Sequence, residues 1–270
     1  MRRPNGEQGS AKTPGRRGAL PRRFYQTVTI ARIDPSVAPS QQQPAGYRVL
    51  LDGKELRTPA KGQFAVPAHA LAAAIAAEWQ AQREHIDPES MPLTRLTNAA
   101  IDGVTGRQAE VGADIVKYLG SDLVCYRAAD PSELVRRQAE AWDPVLDWCQ
   151  RVLGIKLTVT TGIVPVAQPA AAGAALAKWL HGLDAFALAA AHAMTTLLGS
   201  AVLTVAHAEG RLACAEAWAA AHIDEDFQAE KWGVDSVAKA RRDRQWCQMQ
   251  AASWLFTVSG GLDETLTISR

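Results

Sequence analysis

The residues best placed to do chemistry are crowded into one stretch, Ala215 to Asp235, which reads AEAWAAAHIDEDFQAEKWGVD. His222 and Asp226 are four apart, the spacing at which two side chains on one helical face can offer two ligands to a metal. Asp226 and Glu230 repeat that spacing and could supply paired carboxylates for acid–base work. Asp224 and Glu225 add to the acidic run, and only Lys231 stands beside it as an offset. A metal site needs a third ligand and a supporting shell, and acid–base catalysis needs a nucleophile or an oxyanion donor. Neither is nominated elsewhere in the chain. Two other uses of the strip, which holds Asp224, Glu225, Asp226 and Glu230, remain: a solvated acidic helix face, or a polar docking strip beside Trp232, with Gln228 one turn before that indole.

The stretch itself reads as one continuous helix. It is Ala-rich, has no Pro or Gly before Gly233, and spaces Trp218, Ile223, Phe227 and Val234 as a 3.6-periodic apolar stripe. Gly233 supplies the turn after it, and Asp235-Ser236 the cap of the next helix. Like charges four apart weaken a helix slightly, so something beyond local propensity must favour them. Arg241-Arg242-Asp243-Arg244 follows on a solvated face from which a guanidinium can pair with the strip.

Other enzyme signatures are missing. There is no G-x-x-x-x-G-K-[ST] loop, no G-x-G-x-x-G after a strand and no G-x-S-x-G elbow, so no nucleotide, dinucleotide or other cofactor is expected. Cys125, Cys149, Cys214 and Cys247 are far apart and form no C-x-x-C pair. Cys149, Cys214 and Cys247 fall on helical stretches and read as small buried thiols, and a reducing compartment fits the set best. With 29 Lys+Arg against 28 Asp+Glu over 270 residues, the formal charge is +1, too little to draw nucleic acid or an anionic membrane surface. Ala185 to Ala208 is uncharged and long, but His192, Thr195, Thr196, Gly199, Ser200, Thr204 and His207 interrupt it. Two buried helices meeting near Gly199-Ser200 fit better than a membrane span.

The elements that must position the strip divide into two parts. Phe24 to Ile33 reads as a strand. Tyr47–Leu51 and Lys54–Arg57 flank Asp52-Gly53, a hairpin turn signal, and Gln63–Val66 reads as a further strand. Pro67 opens a helix running to about Arg83. Met91-Pro92-Leu93 is punctuation, Thr94 caps a short helix, and Val111, Ile115 and Tyr118 mark another. From there the pattern is helical: a helix capped by Ser132 and closed by Gly154, then helices at about 170–180, 184–198, 200–208, 212–232 and 236–256. Lys156–Thr161 is β-like but isolated. The expected architecture is an α+β N-terminal domain with a small twisted sheet over 24–119, followed by an all-α helical domain over 120–257. A disordered basic leader at 1–23 and a flexible tail at 258–270 complete it. Several of the eight Trp residues, against an Ala-rich background, are expected to anchor the core, Trp79, Trp142 and Trp148 among them.

Several stretches together resemble a known family, the F1-ATPase assembly chaperones that bind the F1 alpha subunit. They are LDGKELRTP at 51–59, LAAAIAAEWQAQREHIDPESMPLTRLTNAAID at 71–102, YLGSDLVCYRA at 118–128, WDPVLDW at 142–148, TTLLGSAVLTVAHAEGRL at 195–212 and DEDFQAEKWGVD at 224–235. The combination of MPLT, D-L-x-C-Y and Q-x-E-x-W-G is the specific part. The resemblance implies an α+β domain followed by a helical one, and a non-enzymatic protein that is a monomer when free. That protein holds the newly made alpha subunit until the beta subunit takes its place. The composition reads as bacterial, which points to the cytoplasm, or to the mitochondrial matrix if the source is eukaryotic. In that family an acidic residue near Q-x-E-x-W-G is associated with function. The resemblance carries this to Glu230, with Glu225 and Asp235 as rivals.

Overall fold

The computed structural model describes residues 20–33 and 46–260. Most of the expected basic leader and most of the expected tail therefore lie outside the described residues. Where the leader is described, Pro21 and Arg23 pair with 84–86: Arg23 N–H donates to Glu84 O at 2.9 Å and Ile86 N–H to Pro21 O at 2.8 Å. Residues 21–23, assigned to the leader, are thus held against 84–86.

Strand β1 (Val28–Ile33) runs antiparallel to β2 (Gly46–Leu51), with Val28 opposite Leu51 and Ile33 opposite Gly46. Strands β3 (Lys54–Glu55) and β4 (Ala65–Val66) both pair with β2. The β2–β3 turn has positive φ at both central residues, 47° at Asp52 and 77° at Gly53, which is what an Asp-Gly hairpin requires. Helix α1 (His69–Ala81) lies on β1 and β2 and buries Leu71, Ala72 and Ile75. Pro67 stands outside it, ahead of the Ala68 cap, rather than in its first turn.

Helix α2 (Pro92–Ala99) corrects the reading of MPLT as punctuation. Pro92 occupies the first helical position, where its missing N–H costs nothing. Thr94 sits inside the first turn instead of capping it. The cap comes from a distance: the Glu78 carboxylate accepts the N–H groups of Leu93 and Thr94, both at 2.8 Å, and the Thr94 hydroxyl at 2.7 Å. Burial nevertheless leaves the Glu78 carboxyl above its ordinary value.

Helices α3 (Gln108–Lys117), α4 (Ser132–Trp148), α5 (Ala170–His181), α6 (Ala185–Leu198) and α7 (Ala201–Ala208) build the helical part. α4 starts at Ser132, with Pro131 as its cap, and passes through a π turn at Cys149–Leu153 to Gly154, whose φ of 69° ends it. The Lys156–Thr161 segment is not isolated: β6 (Thr160–Thr161) pairs in parallel with β5 (Tyr126–Arg127). α6 and α7 are the buried pair expected around Gly199-Ser200. Gly199 turns the chain at φ 62°, and the Ser200 hydroxyl accepts the Leu203 N–H at 3.0 Å. Eight residues of α6 are buried, from Ala187 to Leu198, so small side chains let its neighbours approach on several sides. Among the described residues no helix is long and apolar enough to cross a membrane.

Asp122 ties the two halves of this core together. Its fully buried carboxylate accepts the N–H groups of Ala201 at 2.8 Å and Val202 at 3.1 Å, and that of Val124 at 3.3 Å. It thereby caps α7 from 79 residues away in the chain. Burial outweighs these bonds and pushes its carboxyl up to about 6. Of the cysteines expected to be buried, Cys149 is, Cys214 is half-buried and Cys247 is exposed on the last helix; Cys125 is buried as well. The tryptophans also divide, with Trp142 and Trp218 in the core while others reach the surface.

Candidate functional site

The expected single helix over 212–232 is two helices, α8 (Cys214–Ala221) and α9 (Ile223–Trp232), broken at His222. The cause is local. The His222 ring stacks 3.9 Å from Trp218, and its Nδ1 lies 2.7 Å from the Trp218 carbonyl. That carbonyl is the one an unbroken helix would give to the His222 N–H, which turns instead to Ala219 O at 3.1 Å. The break answers why so many acids sit together. Asp224, Glu225 and Asp226 fill the first turn of α9, where the helix dipole favours negative charge.

Phe227 is buried and fixes α9, with the Arg137 guanidinium carbon 5.4 Å and Lys231 Nζ 4.8 Å from its ring centre. Asp226 and Glu230, four apart, do not act as a pair. Glu230 Oε1 accepts from Arg137 Nη1 on α4 at 2.8 Å, while Asp226 is ion-paired with Arg242 on α10 (Ser236–Val258). The Arg137 bond holds the Glu230 carboxyl below the ordinary carboxylate value. Arg137 is raised by its bonds to Glu230 and Glu133, and Arg242 by its bond to Asp226. Asp224 is held by Gln138 Nε2 at 2.6 Å. The α9 carboxylates therefore clamp that helix to α4 on one side and α10 on the other.

Gly233, with φ 81°, ends α9. Asp235 then caps α10, accepting from Val237 N–H at 2.8 Å and Ala238 N–H at 3.3 Å. Between the helices lies a groove of about 770 Å³ lined by Glu225, Gln228, Trp232, Asp235, Arg241 and Gln245. Its apolar edge is open to solvent: Trp232 is 86% exposed, Val237 72% and Val234 61%. The helical period places Val234 in the buried stripe; in the structure it follows the Gly233 turn and so leaves the helix face that Phe227 anchors.

Four of the six candidate residues, Glu225, Gln228, Trp232 and Asp235, thus share one groove. Asp226 borders it through Arg242, and Glu230 turns to Arg137 on α4. His222 and Asp226 do not form a ligand pair. The His222 Nδ1 is committed to a backbone carbonyl, its Nε2 lies 3.9 Å from Glu225, and Asp226 turns to Arg242. Among the described residues no group of three His, Cys, Asp or Glu is placed to hold a metal. The partners missed in the sequence are Arg137 and Gln138. The only local sign of them is Glu133, four before Arg137, which bonds it at 2.9 Å.

This fold is that of solved chaperone structures. The chain aligns with Atp12 of Paracoccus denitrificans at a TM-score of 0.77 and 40% identity, over 88% of this chain and 98% of that one. A mutant of the Paracoccus protein gives the same values. With the Atu1473 protein of Agrobacterium tumefaciens, a putative chaperone by its description, the TM-score is 0.81 and the identity 45%, over 88% and 86% of the two chains. The family model described as ATP12 chaperone protein matches residues 22–150. Among curated proteins, the mitochondrial atp12 protein of Schizosaccharomyces pombe is 24% identical over 197 residues, 68% of either chain. The chain belongs to the ATP12 chaperone family, the F1-ATPase assembly chaperones that its motif set resembles.

Proposed function

We propose that this chaperone binds the unassembled F1 alpha subunit and covers its beta-facing surface until the two subunits join. The observation that carries the reading is the exposed Trp232–Val234–Val237 patch beside a carboxylate-rimmed groove. A folded protein exposes a contiguous patch of large apolar side chains where it meets something, and an aromatic anchor within a polar rim is the usual composition of such a surface. Glu225, Gln228, Trp232 and Asp235 face the client, while Asp226 and Glu230 hold α9 at the angle that presents them. An unassembled alpha subunit exposes surface meant for beta, and exposed interface aggregates. Holding that surface lowers its free concentration by mass action, and beta displaces the chaperone once the final interface is the larger. No bond is made or broken, no nucleotide or other cofactor is required, and the free protein is a monomer. The sheet-bearing part to about 119 and the helical part after it act as the two domains of this clamp. The setting is the bacterial cytoplasm, or the matrix in a eukaryote.

Tagged full-length chain expressed in cells and purified under mild salt should bring the F1 alpha subunit with it. Recovery of no alpha subunit overturns the reading. Suppression of aggregation for unrelated proteins to the same degree would replace it with a general holdase, and a stoichiometric transition metal in the purified protein with a metal site at 222–230.

A further inference from the structure

The α9–α10 groove does not end at the acidic strip. It reaches Leu197 on α6, and Leu197 also closes a second depression of about 330 Å³ between α2, α6 and α10. The floor there is apolar, made by Leu96, Ala99 and Ala193. His192 bounds it and also lines a third depression, of about 370 Å³, beside Lys117 and Tyr118 at the end of α3. One wall runs through: Ala238, Arg241 and Gln245 line the first groove and Gln248 the second. Those positions are alternately three and four residues apart, so they share one face of α10. At 1.5 Å per residue that face extends about 15 Å, close to three helical turns.

The charges along this trough are unevenly satisfied. Lys117 is held by Asp114 at 2.7 Å, Lys239 by Asp243 at 3.3 Å, and Arg242 by Asp226. Arg95, exposed at the rim of the apolar α2–α6 depression, takes part in none of the ion pairs among the described residues, and neither does Arg241 on the α10 wall.

We infer that the trough from Trp232 to His192 seats one amphipathic helix of the client, with its apolar face in the α2–α6 depression and a carboxylate against Arg95. The inference rests on the client reading above and says which kind of client segment is grasped. A straight wall of about three turns with side-chain-sized hollows along it matches the helix-in-groove mode of recognition, in which anchors recur at three- and four-residue intervals. A rim cation without its own carboxylate selects an acidic side chain at that point and disfavours a basic one. Continuity through Leu197 makes the trough an extension of the Trp232 end, so one segment engages both.

The test uses the full chain and isolated F1 alpha subunit. Arg95→Glu reverses the rim charge, and Ala99→Glu puts a carboxylate on an exposed floor position; neither side chain is needed to fill the core. Each should weaken capture of the alpha subunit about tenfold or more, with melting within a few degrees of wild type. A photo-crosslinker at Thr196, on the α6 wall, should link to positions three or four apart on a single client helix. Capture at the wild-type level by both variants, with loss for Trp232→Ala, overturns the trough and confines docking to α9 and α10. Crosslinks scattered over client strands overturn the helix. Failure of wild type itself to capture alpha is a different result: it removes the client reading, and the trough's occupant with it.

Discussion

Arg137 Nη1 on α4 sits 2.8 Å from Glu230 Oε1 on α9, bridging elements 93 residues apart in the chain. The same guanidinium bonds Glu133 at 2.9 Å and lies over the Phe227 ring, so one side chain gathers the inner face of α9. Glu230→Lys places two cations together where the bridge was. Both partners are partly exposed, and such pairs contribute little to global stability. The expected outcome is a melting temperature lowered by no more than a few degrees, with capture of the alpha subunit weakened about tenfold by tilting of α9. The Arg137→Glu, Glu230→Lys double variant restores the bridge with reversed sign and should recover most of the capture. No recovery in the double variant would mean that the client reads the Glu230 carboxylate itself.

Trp232 is 86% exposed, so the folded chain gains almost nothing from its indole. Trp232→Ala should leave unfolding within about 0.5 kcal/mol of wild type, as surface changes do. Removing an aromatic anchor from an interface typically costs about 2 kcal/mol or more, roughly a thirtyfold loss of affinity. Binding titrations with the alpha subunit check this, and in the wild type the Trp emission should shift to the blue as the client covers the ring. Equal affinity of the variant and wild type would place the anchor elsewhere.

What the sequence made legible was local. Asp52-Gly53 announces its hairpin because the turn needs only its own two residues to accept positive φ, and Asp235 announces a cap because the amides it accepts lie two and three positions on. The caps supplied from afar were not legible. Glu78 serves α2 from 15 and 16 residues away and Asp122 serves α7 from 79 and 80, and no window along the chain contains both partners. MPLT and D-L-x-C-Y stand out as motifs, yet their physical content is these two carboxylates, half-buried Glu78 and buried Asp122. The break at His222 is hidden for another reason. Ala-rich propensity argues for a continuous helix there, and only a ring folding back onto the Trp218 carbonyl overrides it. For the candidate site, composition locates the strip but assigns Asp226 and Glu230 to one face. Their partners on α10 and α4 draw them to different neighbouring helices, so they do not act as a pair.

Asp235 has two roles that must be separated before either is assigned. Its carboxylate caps α10 through Val237 and Ala238, and it also lines the groove. Asp235→Ala should cost about 1 kcal/mol in urea unfolding and loosen the first turn of α10, which carries Val237. Asp235→Asn retains a capping oxygen and removes the charge, so its stability should stay near wild type. If the charge faces the client, capture by the Asn variant falls while its unfolding curve does not move. Equal losses of capture and stability in the Ala variant, with neither in the Asn variant, would reduce Asp235 to a cap.

Asp122 sets a pH dependence whose sign follows from its burial. Its carboxyl is pushed from 3.8 to about 6, mainly by loss of solvent and despite the hydrogen bonds that favour its charged form. The folded chain therefore holds this proton more tightly than the unfolded chain does. The resulting stabilisation is fully present below about pH 4, and it is lost as pH rises through about 6. A move of that size corresponds to roughly 3 kcal/mol between the two ends of the window. Asp122→Asn cannot titrate, so its unfolding free energy should lack this component. The difference between wild type and variant should fall by a few kcal/mol from pH 4 to pH 7 and be flat above that. Loss of the acceptor for the Val124 N–H, which an amide nitrogen cannot replace, adds a constant offset to that difference and leaves its slope with pH unchanged. Urea unfolding of both proteins at half-unit steps of pH checks the slope. A wild-type-minus-variant difference that rises with pH between 4 and 6 would mean that the hydrogen bonds from Ala201, Val202 and Val124 outweigh burial, and that the carboxylate is a charged cap of α7 at every pH where the protein works.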